Sequence, residues 1–426
     1  MPPSGPDPAL LAASGFVTIA RIGADGDGIA AGTADKPRYF PFTLPGEDVT
    51  LATPPVLLTT SIDRVASACP HFGTCGGCSL QHWREEPYGA WKTSLLADAL
   101  RRAGYEGAAI APLVRTPAHA RRRIDLAIRR HGATLTVGLH PRGSSTDIID
   151  LEACPVLHPR LAALIAPLRQ LLRGLTTFKR EGSAVLNLLD TGPDLLLRTD
   201  AAASTGDRVR LAAFAASHAI PRIALAIGKL PPEIASQHER PYVTFDGAKV
   251  TPPPGAFLQA SAPAEAAIRA AVLAGLPDKL TSKSRFAELY AGNGTLTFDL
   301  SRTARTDAYE GDAGAAAALR DGVNAAVRTG RIAVHTRDLT RQPLTAKELA
   351  VFAAVILDPP FAGAGPQMTT LAASTVKRII YVSCNPAVLA REARMLHDAG
   401  YHMLAATPVD QFLWSARLES VCVFGR

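Results

Sequence analysis

Past residue 256 the chain settles into one rhythm. Short apolar runs (RFAELY, TDAYE, RIAVHT, VFAAVILD, RIIYVSC) alternate with helix-spaced segments such as AGAAAALRDGVNAAVR and AVLAREARMLHDAG. Continuous apolar strands between helices predict βαβ units and a parallel sheet covered on both faces. Upstream the rhythm differs. Between Gly15 and about Thr60, the runs GFVTIARI, GDGIAAG and RYFPFTLPGEDVTLA sit between Gly, Asp and Pro turns, which predicts a small β-barrel. Little chain remains between LPGEDV and Cys69, so that barrel is short of a full set of strands. In PYGAWKTSLLADALRRAGY, the spacing of Trp91, Leu95, Leu96 and Leu100 predicts an amphipathic helix. Residues of about 120 to 250 mix strands (RRRIDLAIRR, TLTVGLH, SAVLNLLD, PDLLLRTD) with a helix through LAALIAPLRQLL. The Pro-rich KLPPEI and VTPPPGAF mark a boundary near 230–256. The expected organisation is a lead-in (MPPSGPDP) and barrel over 1–65, a central α+β domain over 66–250, and an α/β domain over 251–426.

Composition narrows the class. A chain of 426 residues is long for one core, and 47% apolar with 19% charged residues is ordinary for globular domains. The net charge of +7 suits an anionic partner such as RNA or DNA without requiring one. No uninterrupted apolar stretch reaches the roughly 18 residues of a membrane span. The first residues lack the positive n-region of a secretory signal. Six cysteines are too sparse for a disulfide scaffold. A cytoplasmic protein is expected, in which clustered cysteines favour metal or redox roles.

Three of those cysteines, Cys69, Cys75 and Cys78, fall in CPHFGTCGGCSLQHW, and Cys154 in DLEACPVLH is the one plausible remote partner. The spacing C-x5-C-x2-C with a distant fourth suits an iron–sulfur site better than structural zinc, which usually shows two close pairs; zinc and free thiols remain open. Cys422, in VCVFG, reads as core. Cys384 is different. It ends an apolar strand immediately before Asn-Pro and a new helix, where the helix terminus would favour a nucleophilic thiolate. In FAELYAGNGTLTFDL a strand leads through Gly292 and Gly294 into a helix start, and the next strand ends at Glu310, where α/β nucleotide folds bind ribose hydroxyls. Asp338, Asp358 and Cys384 end the later strands, so polar groups collect where such sheets open a ligand crevice.

In this order, FLQAS (257–261), ELYAGNGT (288–295), DPP (358–360), SCNP (383–386) and LESV (418–421) resemble the motif set of the RNA uracil-5-methyltransferases. The cysteine segment resembles the iron–sulfur segment of the rRNA-modifying members, and GDGIA and LPGEDV resemble their TRAM barrel. The resemblance implies a Rossmann-like class I methyltransferase domain that transfers methyl from S-adenosylmethionine to uridine C5. It implies 23S rRNA as substrate, with a tRNA T-loop uridine as the alternative; a further alternative is an iron–sulfur RNA-binding protein with an inactive methyltransferase scaffold. By the same matching, Cys384 is the nucleophile that adds to C6 and Glu419 the base that removes the C5 proton. Gln259, Tyr290, Thr295, Glu310, Asp338 and Asp358 line the S-adenosylmethionine site, with Glu310 on the ribose, Asp338 near the adenine and Asp358 also near the uracil edge. Cys69, Cys75, Cys78 and Cys154 hold a 4Fe-4S cluster, and the protein acts as a monomer without a membrane partner. The chain departs from the family pattern at Ser261 (commonly Asn), Ala291 (frequently Cys), Phe361 (commonly Arg) and Arg417 (commonly His), mostly on the substrate side.

A target base inside paired RNA is unreachable, so it must lie in a loop or flip out. Arg121, Arg122, Arg123, Lys92, Arg101 and Arg102 are candidate phosphate contacts, and His71, Phe72, His82 and Trp83 candidate stacking surfaces. The cysteine cluster is expected to pin the barrel and this basic strand together as an RNA-facing surface.

Overall fold

The computed structural model describes residues 15–31 and 37–426. The expected lead-in MPPSGPDP lies outside them. The alternating C-terminal runs form an eight-stranded sheet. Its spatial order is Ile332–Thr336, Arg305–Glu310, Arg285–Leu289, Ala354–Leu357, Arg378–Ser383, Glu419–Gly425, His402–Asp410 and Val114–Arg115. The first five run parallel. Ala354–Leu357 is buried at every residue and Arg378–Ser383 at all but its first, as strands covered on both faces must be.

This topology locates a crevice. From Arg285–Leu289 the chain steps outward through Arg305–Glu310 to Ile332–Thr336, then returns to the opposite side of the first strand as Ala354–Leu357. The loops leaving those two neighbours diverge, and ligands bind where strand order reverses in this way. The sheet then turns antiparallel: Glu419–Gly425 pairs with Arg378–Ser383 in the register Ser383↔Ser420. Cys384 and Glu419, distant in sequence, thereby flank one paired position.

Two pieces of the middle sequence complete this C-terminal core. Val114–Arg115 extends the sheet beside His402–Asp410. The helix Glu85–Arg102 buries Tyr88, Trp91, Leu95, Leu96 and Leu100, the expected apolar face, in one core with Leu389, Ala393 and Leu396 of the helix Pro386–Asp398. Its first turn carries Glu85 and Glu86 and its last Arg101 and Arg102, as the helix dipole favours.

A second sheet has seven strands, in the order Glu233–Gln237, Arg222–Ile227, Gly192–Thr199, Glu181–Leu189, Arg123–His131, Thr134–Leu139 and Ile149–Asp150. The single helix expected through LAALIAPLRQLL is instead two, Pro159–Ala162 and Ile165–Gly174. Pro167 has no N–H to donate back to Ala163, so the ladder breaks there. Near the N-terminus, Tyr39–Phe40, Gly28–Ala30, Phe16–Ile22 and Asp48–Thr50 pair as a four-stranded antiparallel sheet. Arg142 forks onto Asp27 and ties this sheet to the loop after Thr134–Leu139.

Candidate active site

The strand Arg285–Leu289 ends in a strained turn. Tyr290 has φ 63°, and Gly292 and Gly294 have φ 56° and 99°. A Cβ on Gly294 would stand 2.5 Å from Leu319 and 3.0 Å from Phe298, so only glycine lets this loop tuck against its helices. Glu310, at the next strand end, accepts from the N–H of Gly292 and of Asp312, both at 2.7 Å, and is thereby held beside the loop. Asp338 is exposed and flanks Gly311, next to Glu310. The Tyr290 hydroxyl donates to the Ala364 carbonyl at 3.1 Å, and Thr295 is partly buried at the loop's far end. Gln259 donates to Asp358 Oδ2 at 2.9 Å, which brings the FLQAS segment onto the strand end of DPP. Tyr290, Glu310, Asp338 and Asp358 thus lie at or just after the carboxyl ends of neighbouring parallel strands, with Gln259 reaching Asp358 and Thr295 on the glycine loop, at the crevice where the strand order reverses.

That crevice is strongly acidic. Glu288, 2% exposed, has its carboxyl pushed up to about 8 by burial, reinforced by the charges of Asp358, Glu310 and Asp299. Its Oε2, together with Asn293 Oδ1 and Thr297 Oγ1, has no hydrogen-bond partner among the described residues. The Thr297 hydroxyl is close enough to hold the Glu288 carboxyl down somewhat. The remaining acceptors, gathered with mutually repelling carboxylates, fit a ligand that brings positive charge and donors, as the sulfonium and amino groups of S-adenosylmethionine do. Glu288 was not among the expected site residues. A charged residue within an apolar strand, FAEL, was the signal available.

The second half of the site lies across the sheet from this loop. Cys384 is partly buried, and Glu419 is 3% exposed. The Glu419 carboxyl lies well above the usual carboxylate range, through burial and the nearby charge of Asp358. Gln411 joins the two regions: its amide donates to Gln259 Oε1 at 3.0 Å and to Glu419 Oε2, and its carbonyl oxygen accepts from the Ala260 N–H at 3.0 Å. One line of side chains thus runs Asp358, Gln259, Gln411, Glu419. Nothing in VDQFLW distinguishes Gln411 from a surface amide, because its partners come from two other segments, Gln259-Ala260 and Glu419.

Three expectations are corrected. The Cys384 thiol is not activated by the helix behind it; burial and the charges of Glu419 and Asp358 push it up to about 12. Asn385 Oδ1 already accepts from the N–H groups of Ala387 and Val388, and Pro386 has none, so the helix terminus has little left for sulfur. The basic strand is not an open phosphate-binding surface. Arg122 is buried against Glu265 and donates to the Gln259 carbonyl at 3.0 Å, and Arg123 lies over the Phe257 ring. Lys92 is fully buried on Asp410, 2.8 Å away, with the Tyr88 hydroxyl on the other carboxylate oxygen. Of the candidate stacking groups, His82 packs behind Phe72 and Trp83 against Trp91, both buried. Arg101 and Arg102 are exposed, and with Arg21 and Arg142 they wall a groove of about 1040 Å³ that reaches Cys384.

Among the described residues, no three His, Cys, Asp or Glu side chains form a metal-ion group. Cys75, Cys78 and Cys154 nevertheless sense charge from neighbouring cysteines. Burial raises the thiols of Cys75, Cys78 and Cys154, and each is raised further by charge on others of the set. The Gly77 N–H donates to Cys75 Sγ at 3.4 Å. The expectation of an iron–sulfur site therefore rests on the spacing of the four cysteines in the sequence.

No helix among the described residues is long and apolar enough to cross a membrane. Residues 332–426, which carry Asp338, Asp358, Cys384 and Glu419, match the family model tRNA (Uracil-5-)-methyltransferase. An uncharacterized RNA methyltransferase of Brucella suis is 38% identical over 96% of this chain and 97% of its own. The 23S rRNA (uracil(1939)-C(5))-methyltransferase of Edwardsiella ictaluri is 32% identical over 96% of this chain and 95% of its own. The crystal structure of the Pyrococcus abyssi tRNA (uracil-54, C5)-methyltransferase with S-adenosyl-L-homocysteine superposes with a TM-score of 0.70, at 19% identity, over 96% of this chain and 100% of that one. That likeness establishes a shared Rossmann-like fold, and the full-length sequence relatives establish kinship: this chain belongs to the S-adenosylmethionine-dependent RNA uracil-5-methyltransferases.

Proposed function

We propose that the protein methylates C5 of a specific uridine in 23S rRNA through a covalent adduct with Cys384. The observation that carries this reading is the placing of Cys384 and Glu419 around the paired position Ser383↔Ser420, close enough that the carboxylate charge perturbs the thiol. Uracil C5 is a weak nucleophile. Once the Cys384 thiol has lost its proton to solvent, Sγ bonds to C6, and the C5–C6 π pair shifts toward C5 and the neighbouring C4 carbonyl oxygen. C5 can then take the methyl group of S-adenosylmethionine, whose sulfur keeps the bonding pair and leaves as the neutral thioether. Glu419 then removes the C5 proton. The electrons of that C–H bond re-form the C5–C6 double bond and expel the Cys384 thiolate. A base whose carboxyl is raised by burial is matched to that task.

Gln259, Tyr290, Thr295, Glu310, Asp338 and Asp358 would hold the methyl donor, with Glu310 on the ribose hydroxyls and Asp338 beside the adenine. Asp358, bonded to Gln259, would also meet the uracil edge. The rRNA target over a tRNA T-loop uridine is favoured by the full-length match to a 23S rRNA enzyme and by the cysteine segment. In this reading Cys69, Cys75, Cys78 and Cys154 carry a 4Fe-4S cluster, and 1–65 is a TRAM-like RNA-binding module. The seven-stranded sheet within 66–250 belongs to the cluster-bearing domain, and 251–426 is the catalytic domain, completed by the helix Glu85–Arg102 and the strand Val114–Arg115.

The test uses labelled S-adenosylmethionine with rRNA and tRNA from cells lacking the protein. Label in 5-methyluridine of 23S rRNA is expected. With Glu419→Gln, a protein–RNA adduct should persist on a denaturing gel, and with Cys384→Ala none should form. Label in tRNA alone would redirect the substrate, and full activity of Cys384→Ala would overturn the covalent route.

A further inference from the structure

Phe361 and Arg417 come from different loops and meet at the end of the groove that holds Cys384. The Arg417 guanidinium lies over the Phe361 ring, 3.9 Å from its centroid. Neither side chain belongs to the core. Phe361 is 48% exposed, and Arg417 is exposed as well. Backbone contacts hold both in place. The Phe361 carbonyl accepts from Asn385 Nδ2 at 3.1 Å, one residue past Cys384, and the Arg417 carbonyl accepts from the buried Lys92 ammonium. The pair is therefore anchored through its backbone, with both side chains exposed at the groove. The other groove walls carry Arg21, Arg101, Arg102 and Arg142 beside Asp25, Asp27 and Asp98. Arg142 is paired with Asp27 and Arg101 with Asp98, which leaves Arg21 and Arg102 as the cations without a carboxylate partner among the described residues, to meet a phosphate chain.

We propose that Phe361 and Arg417 form a stacking platform for one unpaired nucleotide of the RNA substrate, distinct from the uridine at Cys384. Its base lies on the phenyl ring and its phosphate on the guanidinium. This rests on the reading of the groove as the RNA path to the nucleophile. The chemistry is matched in both parts. Every base offers a π-face to an aromatic ring, and a guanidinium already stacked on that ring keeps its N–H edge for a phosphate. Such a platform gains its contacts in the bound RNA before chemistry begins, so it acts on RNA binding more than on turnover. It holds the neighbouring nucleotide out of its helix and keeps the target uridine unpaired beside Cys384.

Two measurements test it. In steady-state methylation, Phe361→Leu should raise KM for RNA about 10-fold with kcat little changed, and Phe361→Tyr should restore it. In the Cys384→Ala background, a short single-stranded oligouridylate carrying 2-aminopurine should lose fluorescence on binding the intact platform and the Phe361→Tyr form. The Phe361→Leu form should leave it bright. Equal KM and equal quenching in the Leu and Phe forms would overturn the platform while leaving methyl transfer standing. Failure of the wild type to label any RNA would instead remove the proposed function, and the quenching comparison would still decide whether the ring stacks a base.

Discussion

The Trp414 carbonyl accepts hydrogen bonds from the backbone N–H of Ser79 at 2.9 Å and of Leu80 at 3.0 Å. Its own N–H donates to the Tyr88 hydroxyl at 2.8 Å. The residue after Cys78 is thus tied to the loop between Gln411 and Glu419. The cysteine segment was expected to pin the barrel and the basic strand together, and it is also bonded to the loop that carries Arg417. Replacing Cys78 with Ser should therefore loosen residues 411–418 as well as the cysteine segment. Hydrogen exchange should show faster exchange at Ser79, Leu80 and Trp414, and unchanged protection in that loop would refute the link.

Glu288 makes stability depend on pH. Its carboxyl is raised from 4.5 to about 8 in the folded protein, so the folded state resists ionisation that the unfolded chain accepts freely. Ligand-free protein should lose stability as pH rises from about 4.5 to about 8, by a few kcal/mol at 1.36 kcal/mol per unit. Glu288→Gln should melt above the wild type at pH 8, with the gap closing by pH 5. Thermal melts at the two pH values check the sign. S-adenosylmethionine should shift the wild type upward more than it shifts the variant.

The Cys384 thiol, held near 12 by burial and two carboxylates, should be slow to alkylate in the free protein. A sulfonium in the crevice adds the opposite charge and should speed alkylation at pH 8. S-adenosyl-L-homocysteine, with a neutral sulfur, should not. Mass spectrometry of the Cys384 peptide after timed iodoacetamide treatment separates the two ligands. Identical rates with both would show that another group sets the thiol.

Lys92 is a structural cation. Lys92→Ala should cost about 3–5 kcal/mol, because it leaves the buried Asp410 carboxylate with only the Tyr88 hydroxyl. Denaturant unfolding measures that loss. Arg101→Gln on the same helix should leave stability within about 0.5 kcal/mol and weaken RNA binding at low salt instead. A stable Lys92→Ala protein would contradict the pairing seen here.

The parallel sheet was legible because its strands must be continuously apolar, and the first polar residue after each one has to emerge at the crevice. Glu310, Asp358 and Cys384 could be picked out on that ground alone. Glu419 needed the family resemblance, since a glutamate opening a C-terminal strand is otherwise unremarked. Gln411 and the pairing of Phe361 with Arg417 were illegible, because each depends on segments that meet only after folding.

The sequence by itself determined the βαβ order, the glycine turn after Leu289 and the grouping of cysteines, since periodicity and turn chemistry are local properties of the chain. Tertiary structure alone decided which charges face solvent. Arg122 and Lys92 read as surface cations until Glu265 and Asp410 supplied partners from distant strands and helices. It also decided the state of Cys384. The helix start beside the thiol is written locally, but the carboxylates that override it arrive from Glu419 and Asp358, and electrostatic energy depends on distance in space rather than along the chain.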